Sequence, residues 1–193
     1  MPQQLNGVRV AAIVTHGFEQ VELTDPKRAL EEAGARVDVI APEAGTVRGW
    51  NHKEWGEQIH VDRTLDDARQ EDYDAVLLPG GVMSPDKLRM NPKAVGFVRE
   101  AYLAGKPISA ICHGPWTLID AGIVRGRRLT SYPSLKADLV NAGANWVDEE
   151  VVTDSGLVTS RNPDDIPAFN RKTIEEFAEG RHERPARQVQ PRL

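Results

Sequence analysis

The chain has 193 residues, enough for one domain of ordinary size or one domain with an appendage. Its 24 Lys and Arg against 29 Asp and Glu give a net charge of −5, whereas a nucleic-acid binder ordinarily shows a basic excess or face. No apolar run approaches the roughly 20 residues that span a bilayer, and MPQQLNGVRV lacks the basic flank and apolar stretch of a secretory signal. A lone cysteine excludes an intrachain disulfide and a Cys-rich zinc site, and scarce cysteine suits a reducing cytoplasm.

Short β-branched runs alternate with longer amphipathic stretches. Val8–Thr15 is nearly all apolar at its centre, as a strand buried on both faces should be. A helix follows and stops at Gly34. It begins either at Asp25-Pro26, as N-cap and first-turn proline, or near Phe18 with Pro26 as a kink. Val37–Ala41 reads as a second strand. Pro42–Gln70 is irregular and Trp-containing, with a strand allowed at Gln58–Val61. Tyr73–Leu78 is a strand running into Pro79-Gly80-Gly81. Asn91 caps a helix that runs to Ala104 and stops at Gly105. Pro107–Ile111 is a buried strand, followed at once by Cys112-His113-Gly114-Pro115 and a helical pattern to Ala121. A strand near Leu129–Ser131, a helix at Leu135–Ala142 and a hairpin at Val151–Ser160 come next. Its turn is Ser155-Gly156. The last helix covers about Ile166–Ala178. Strands separated by helices predict a doubly wound α/β sheet over residues 1–180. Residues 181–193 carry four Arg, one Glu and two Pro, which predicts a disordered or partner-docked tail.

Ligands of open α/β sheets bind beyond the carboxyl ends of the strands. Three such ends are informative: Thr15-His16-Gly17-Phe18-Glu19, Pro79-Gly80-Gly81 and Ala110-Ile111-Cys112-His113-Gly114-Pro115. The third has the layout of a nucleophile elbow, in which a tight strand-to-helix turn aims one side chain at solvent. The helix N-terminus then favours thiolate over thiol, which predicts a Cys112 pKa well below about 8.5. Taken alone, Cys112 reads as a buried core cysteine. Its position where strand becomes helix, beside a histidine and a glycine, favours the elbow. Gly80 and Gly81 are candidates for half of an oxyanion hole, with the amide after Cys112 as the other half. Glu19 is either a first-turn helix residue or, beside Cys112, a carboxylic acid that must stay protonated to donate to sulfur. His52 and His60 read as surface residues, and the four tryptophans as packing or interface groups. The sequence contains no dinucleotide fingerprint, P-loop, G-x-S-x-G or H-E-x-x-H.

These stretches, with Gly17–Leu23, Thr130–Pro133 and Asn141–Val147, resemble the ThiJ/PfpI family of the class I glutamine-amidotransferase-like superfamily, in its PfpI (intracellular protease I) branch. The resemblance runs from about Val8 to Ala178. It implies a flavodoxin-like three-layer α/β sandwich with a mostly parallel central sheet and a nucleophile elbow at Cys112. It also implies His113 beside the nucleophile and Glu19 contacting the sulfur. In the PfpI branch an acidic residue of a neighbouring subunit completes the triad. Asp86 stands where that branch carries Glu, one methylene longer. A homo-oligomer of at least two subunits follows, a partner choice that four tryptophans in an aromatic-poor chain also suit.

The expected function is a cysteine-dependent hydrolase linked to stress response. It would act on a peptide or a small carbonyl substrate such as a methylglyoxal adduct. No metal, cofactor, nucleic-acid or membrane partner is expected, and the location expected is the cytoplasm. A redox-sensing stress protein or chaperone, in which oxidation of Cys112 is the event, uses the same thiolate. A flavin-binding module follows from fold analogy alone.

Overall fold

The computed structural model describes residues 4–183. The chain folds as β1 (Arg9–Ile13), α1 (Gln20–Glu32), β2 (Arg36–Ala41), β3 (Thr46–Asn51), β4 (Glu54–His60), β5 (Arg63–Thr64), β6 (Ala75–Leu78), α2 (Met83–Leu88) and α3 (Pro92–Leu103). Then come β7 (Ile108–Ile111), α4 (Pro115–Asp120), β8 (Arg128–Leu129), α5 (Lys136–Asn141), β9 (Asn145–Trp146), β10 (Val151–Asp154), β11 (Leu157–Ser160) and α6 (Ile166–Glu179).

Seven strands form one sheet in the order β10-β11-β7-β6-β1-β2-β5, parallel throughout except for the β10–β11 hairpin. The two-residue period of the strands divides the core. Ala11 and Ile13 of β1 face one layer, where Phe97, Val98 and Ala101 of α3, Leu118 of α4 and Leu139 of α5 pack. Val10 and Ala12 face the other, against Leu23 and Leu30 of α1 and Phe169 and Phe177 of α6. The mostly parallel sheet flanked by helices is the predicted fold class.

Helix punctuation is legible at several ends. Asn91 accepts hydrogen bonds from the amides of Lys93 and Ala94 and so caps α3, which opens with Pro92. At its far end the Lys106 amide donates to Ala101 and the Gly105 amide to Tyr102, the Schellman pattern. The first helix takes the earlier of its two readings. It starts at Gln20 and carries Pro26 inside.

Two readings are corrected. The irregular Pro42–Gln70 segment contains a two-stranded ribbon, β3 with β4, separate from the main sheet, so the strand allowed at Gln58–Val61 ends at His60 and begins at Glu54. The expected strand near Leu129–Ser131 shortens to Arg128–Leu129 and pairs with β9. The ribbon is held by bonds to distant segments, so its local periodicity is weak. After Gly81 the chain enters the short helix α2, which carries Asp86. At the start of the expected tail, the His182 amide donates to the Gly105 carbonyl at 2.7 Å. Residues 184–193 of that tail lie outside the described residues.

Candidate active site

Adjacent strands β7, β6 and β1 deliver all three informative chain ends to one edge of the sheet. Cys112 follows β7 directly and has φ +62, a left-handed conformation that a non-glycine residue adopts only where its surroundings enforce it. Its amide donates to the Ser160 carbonyl at 3.0 Å and its carbonyl accepts from the Tyr132 amide at 2.9 Å. Those two bonds hold the elbow from both sides. The side chain lies at the wall of a cavity of about 480 Å³.

His113 folds back onto its neighbour. Its Nδ1 lies 3.1 Å from Cys112 Sγ, and its Nε2 lies 3.3 Å from Ser134 Oγ. The imidazole stacks on Tyr132 at 4.8 Å between centroids and meets the edge of Trp116 at 5.1 Å. Burial pushes its pKa down, so the ring is held neutral. With its proton on Nε2 toward Ser134, Nδ1 is free to accept the thiol proton.

The acid beside the sulfur is Glu22, where the resemblance implies Glu19. Glu22 is fully buried in the first turn of α1, its Oε2 accepts from the Gly80 amide at 2.9 Å, and its carboxyl hydrogen-bonds with Cys112. Burial raises its pKa to about 8, and the nearby Glu19 charge pushes the same way. Glu22 therefore keeps its proton at neutral pH. Glu19 turns instead toward the β3–β4 ribbon, its Oε1 3.4 Å from the His52 amide and 4.0 Å from His52 Nδ1. Glu19 is the N-cap of α1 and Glu22 lies three residues on in its first turn, and only packing decides which is swallowed.

The expectation of a depressed thiol pKa is corrected: within one chain the net direction is upward. Burial pushes the Cys112 thiol up, and an ionised Glu22 would push it further. The Gly81 and His113 amides pull it down. Because Glu22 holds its proton, the charge repulsion is absent at neutral pH and its O–H becomes a third donor to sulfur.

The glycines divide their roles. Gly80 gives its amide to Glu22 and leaves no room for a side chain: a Cβ there would lie 2.4 Å from Glu22 Oε2 and 2.6 Å from Cys112 Cβ. Gly81, at φ +75, keeps its amide toward the sulfur. The Gly81 and His113 amides are thus the pair available to an oxyanion, and Gly80 supports Glu22. Asp86 is exposed on α2, and among the described residues no carboxylate reaches His113. Sequence reasoning also missed the ribbon's contribution: Trp50 and His52 line the Cys112 cavity together with Tyr132. No local signal marks them, because the ribbon reaches the site through long-range bonds, among them the backbone bonds from Trp50 to Phe18 and from Gly17 to Arg48.

A model of the DJ-1/PfpI family matches residues 8–176. General stress protein 18 of Bacillus subtilis is 46% identical over 170 residues, covering 87% of this chain and 96% of that protein. A deglycase of Pyrococcus horikoshii is 43% identical over 167 residues, covering 86% and 98%. The crystal structure of Drosophila melanogaster DJ-1beta superposes with a TM-score of 0.81 at 32% identity, covering 89% of this chain and 90% of that one.

Proposed function

Because this chain belongs to the DJ-1/PfpI family, we propose that it is a cysteine-dependent hydrolase of stress physiology. Its substrates would be aldehyde adducts of amines or thiols, or peptides. The observation that carries this reading is the 3.1 Å contact between Cys112 Sγ and His113 Nδ1 at the wall of an open cavity. His113 accepts the thiol proton as sulfur adds to the substrate carbonyl. Negative charge on the former carbonyl oxygen is met by the Gly81 and His113 amides. With a peptide the imidazolium returns its proton to the departing amine, and water releases the acyl group from sulfur. With a 2-oxoaldehyde adduct sulfur replaces the amine or thiol on the carbinol carbon, a proton moves from that carbon to its neighbour through an enediol, and water releases the 2-hydroxyacyl group. Relatives named a deglycase and a general stress protein support this reading, and a cytoplasmic location belongs to it.

In the same proposal the protein is a homo-oligomer, and Asp86 of a second copy supplies the carboxylate that His113 lacks within one chain. The exposure of Val82 and Met90, on either side of α2, supports an interface there.

A second reading has one observation in its favour: a protonated Glu22 beside the sulfur would hydrogen-bond an oxidised Cys112 as well as a thiolate. On that reading peroxide converts the thiolate to sulfenic acid, with loss of hydroxide, as the functional event. The deciding experiment measures amine release from methylglyoxal-treated lysine derivatives and cleavage of a peptide panel. Turnover by wild type that Cys112→Ser abolishes is expected. Undiminished turnover by Cys112→Ser would overturn the hydrolase assignment.

A further inference from the structure

Glu19 is the unusual carboxylate of this cavity. Its side chain is only 13% exposed, yet its nearest polar partners are the His52 amide at 3.4 Å and His52 Nδ1 at 4.0 Å. Among the described residues no Lys or Arg lies within ion-pair distance of it. A carboxylate this enclosed ordinarily has closer donors or a cation. The partner it does have sits at the tip of the ribbon, at φ +57 and with 71% of its side chain exposed. His52 therefore covers Glu19 loosely and can be displaced.

The surroundings suit a positive charge. Trp50 and Tyr132 line the same cavity, and aromatic faces attract cations. The other ionisable groups near the sulfur do not compete for that role. Glu22 keeps its proton at neutral pH, and burial holds His113 neutral. The cavity, at about 480 Å³, accommodates a side-chain-sized group together with the carbonyl being attacked.

We propose that Glu19, Trp50 and Tyr132 form a cation subsite, gated by His52, that selects substrates bearing an ammonium or guanidinium group near the reacting carbonyl. The proposal rests on the hydrolase reading for its biological meaning, while the subsite itself is a property of the cavity. A substrate cation would replace His52 as the partner of Glu19, with its charge between the carboxylate and the aromatic faces. Neutral and anionic analogues would gain nothing from Glu19, and the anionic ones would be repelled.

The test uses the intact protein and three methanethiosulfonates differing in charge: ethyltrimethylammonium, ethylsulfonate and methyl. In each, the Cys112 thiolate attacks the sulfenyl sulfur, a mixed disulfide forms and methanesulfinate leaves. Labelling rates are divided by those of a small thiol, which removes the intrinsic reactivity of each reagent. In wild type the cationic reagent is expected to exceed the anionic one by about tenfold, the scale of one partly shielded charge pair. Glu19→Gln should collapse that ratio toward one, and His52→Ala should preserve or raise it. A wild-type ratio equal to that of the small thiol, or one that survives Glu19→Gln, would overturn the subsite. The wild-type measurement stands even if a variant fails to fold. Charge-selected labelling without turnover of any carbonyl substrate would remove the hydrolase reading and keep the subsite.

Discussion

Cys112 combines a positive φ, near-complete burial and an acid neighbour, three features that each cost stability and together prepare one sulfur atom. Glu22 decides how that sulfur behaves. Glu22→Gln keeps a donor near sulfur and an acceptor for the Gly80 amide, yet an amide is a weaker donor than a carboxylic acid. Iodoacetamide labelling of Cys112 should slow several-fold at neutral pH, the scale of one weakened hydrogen bond of about 1 kcal/mol. Equal rates in the two proteins would show that the Glu22 proton does not reach the sulfur. Gly80→Ala tests the packing of the same corner. Its Cβ would meet Glu22 Oε2, Cys112 Cβ and the Ile111 carbonyl at 2.4, 2.6 and 2.7 Å. Two of those neighbours belong to the elbow backbone and its first side-chain atom, so they cannot swing aside. Chemical denaturation should register a loss of about 1–3 kcal/mol, the usual cost of overpacking, with Cys112 labelling altered as well.

At the scale of elements, the parts nearest the chemistry are the least regular. The β3–β4 ribbon is built on the Trp50–Trp55 cross-strand pair, whose rings meet edge-on at 5.5 Å. It is joined to the α1 entrance by the Trp50-to-Phe18 bond of 2.7 Å. By contrast α3 is an ordinary scaffold helix, and its cap provides a control. Asn91→Ala removes acceptors for the Lys93 and Ala94 amides and should cost about 1 kcal/mol. Because α3 packs on the layer away from α1, Cys112 labelling should be unchanged in the folded variant. A labelling defect there would mean that the elbow depends on α3 more than its contacts indicate.

For the whole molecule, Glu22 links folding to pH. Its ordinary pKa is 4.5 and its folded value is about 8, so the folded state holds the proton more tightly. The stability it contributes is fully present below 4.5 and is lost as pH rises through about 8. Relative to Glu22→Gln, wild type should therefore lose several kcal/mol of unfolding free energy across that window. Denaturation midpoints at a series of pH values measure this, and a constant difference between the two proteins would refute it. Assembly is the other whole-molecule question. Light scattering at micromolar concentration should give at least a dimer. Asp86→Asn should then slow turnover while leaving peroxide oxidation of Cys112 intact, because only proton transfer through His113 needs the carboxylate. Wild-type turnover in a folded Asp86→Asn variant would reduce Asp86 to a first-turn helix residue.

The residue order alone determined the alternation of strands and helices, the caps at Asn91 and Gly105, and the elbow at Cys112, because these depend on neighbours a few positions apart. It also brought out the Pro-Gly-Gly strand end, since glycine is needed wherever backbone approaches backbone. Tertiary structure decided what no local pattern encodes. Glu19 and Glu22 are chemically alike and one turn apart, and only the closure of Gly80 over α1 buries one and leaves the other in the cavity. His52 reads as a surface residue in sequence and lines the site in space, because the ribbon that carries it folds back across some thirty positions of chain to meet Glu19. Burial is a property of the assembled layers, so the proton on Glu22 and the charge on the sulfur were settled there.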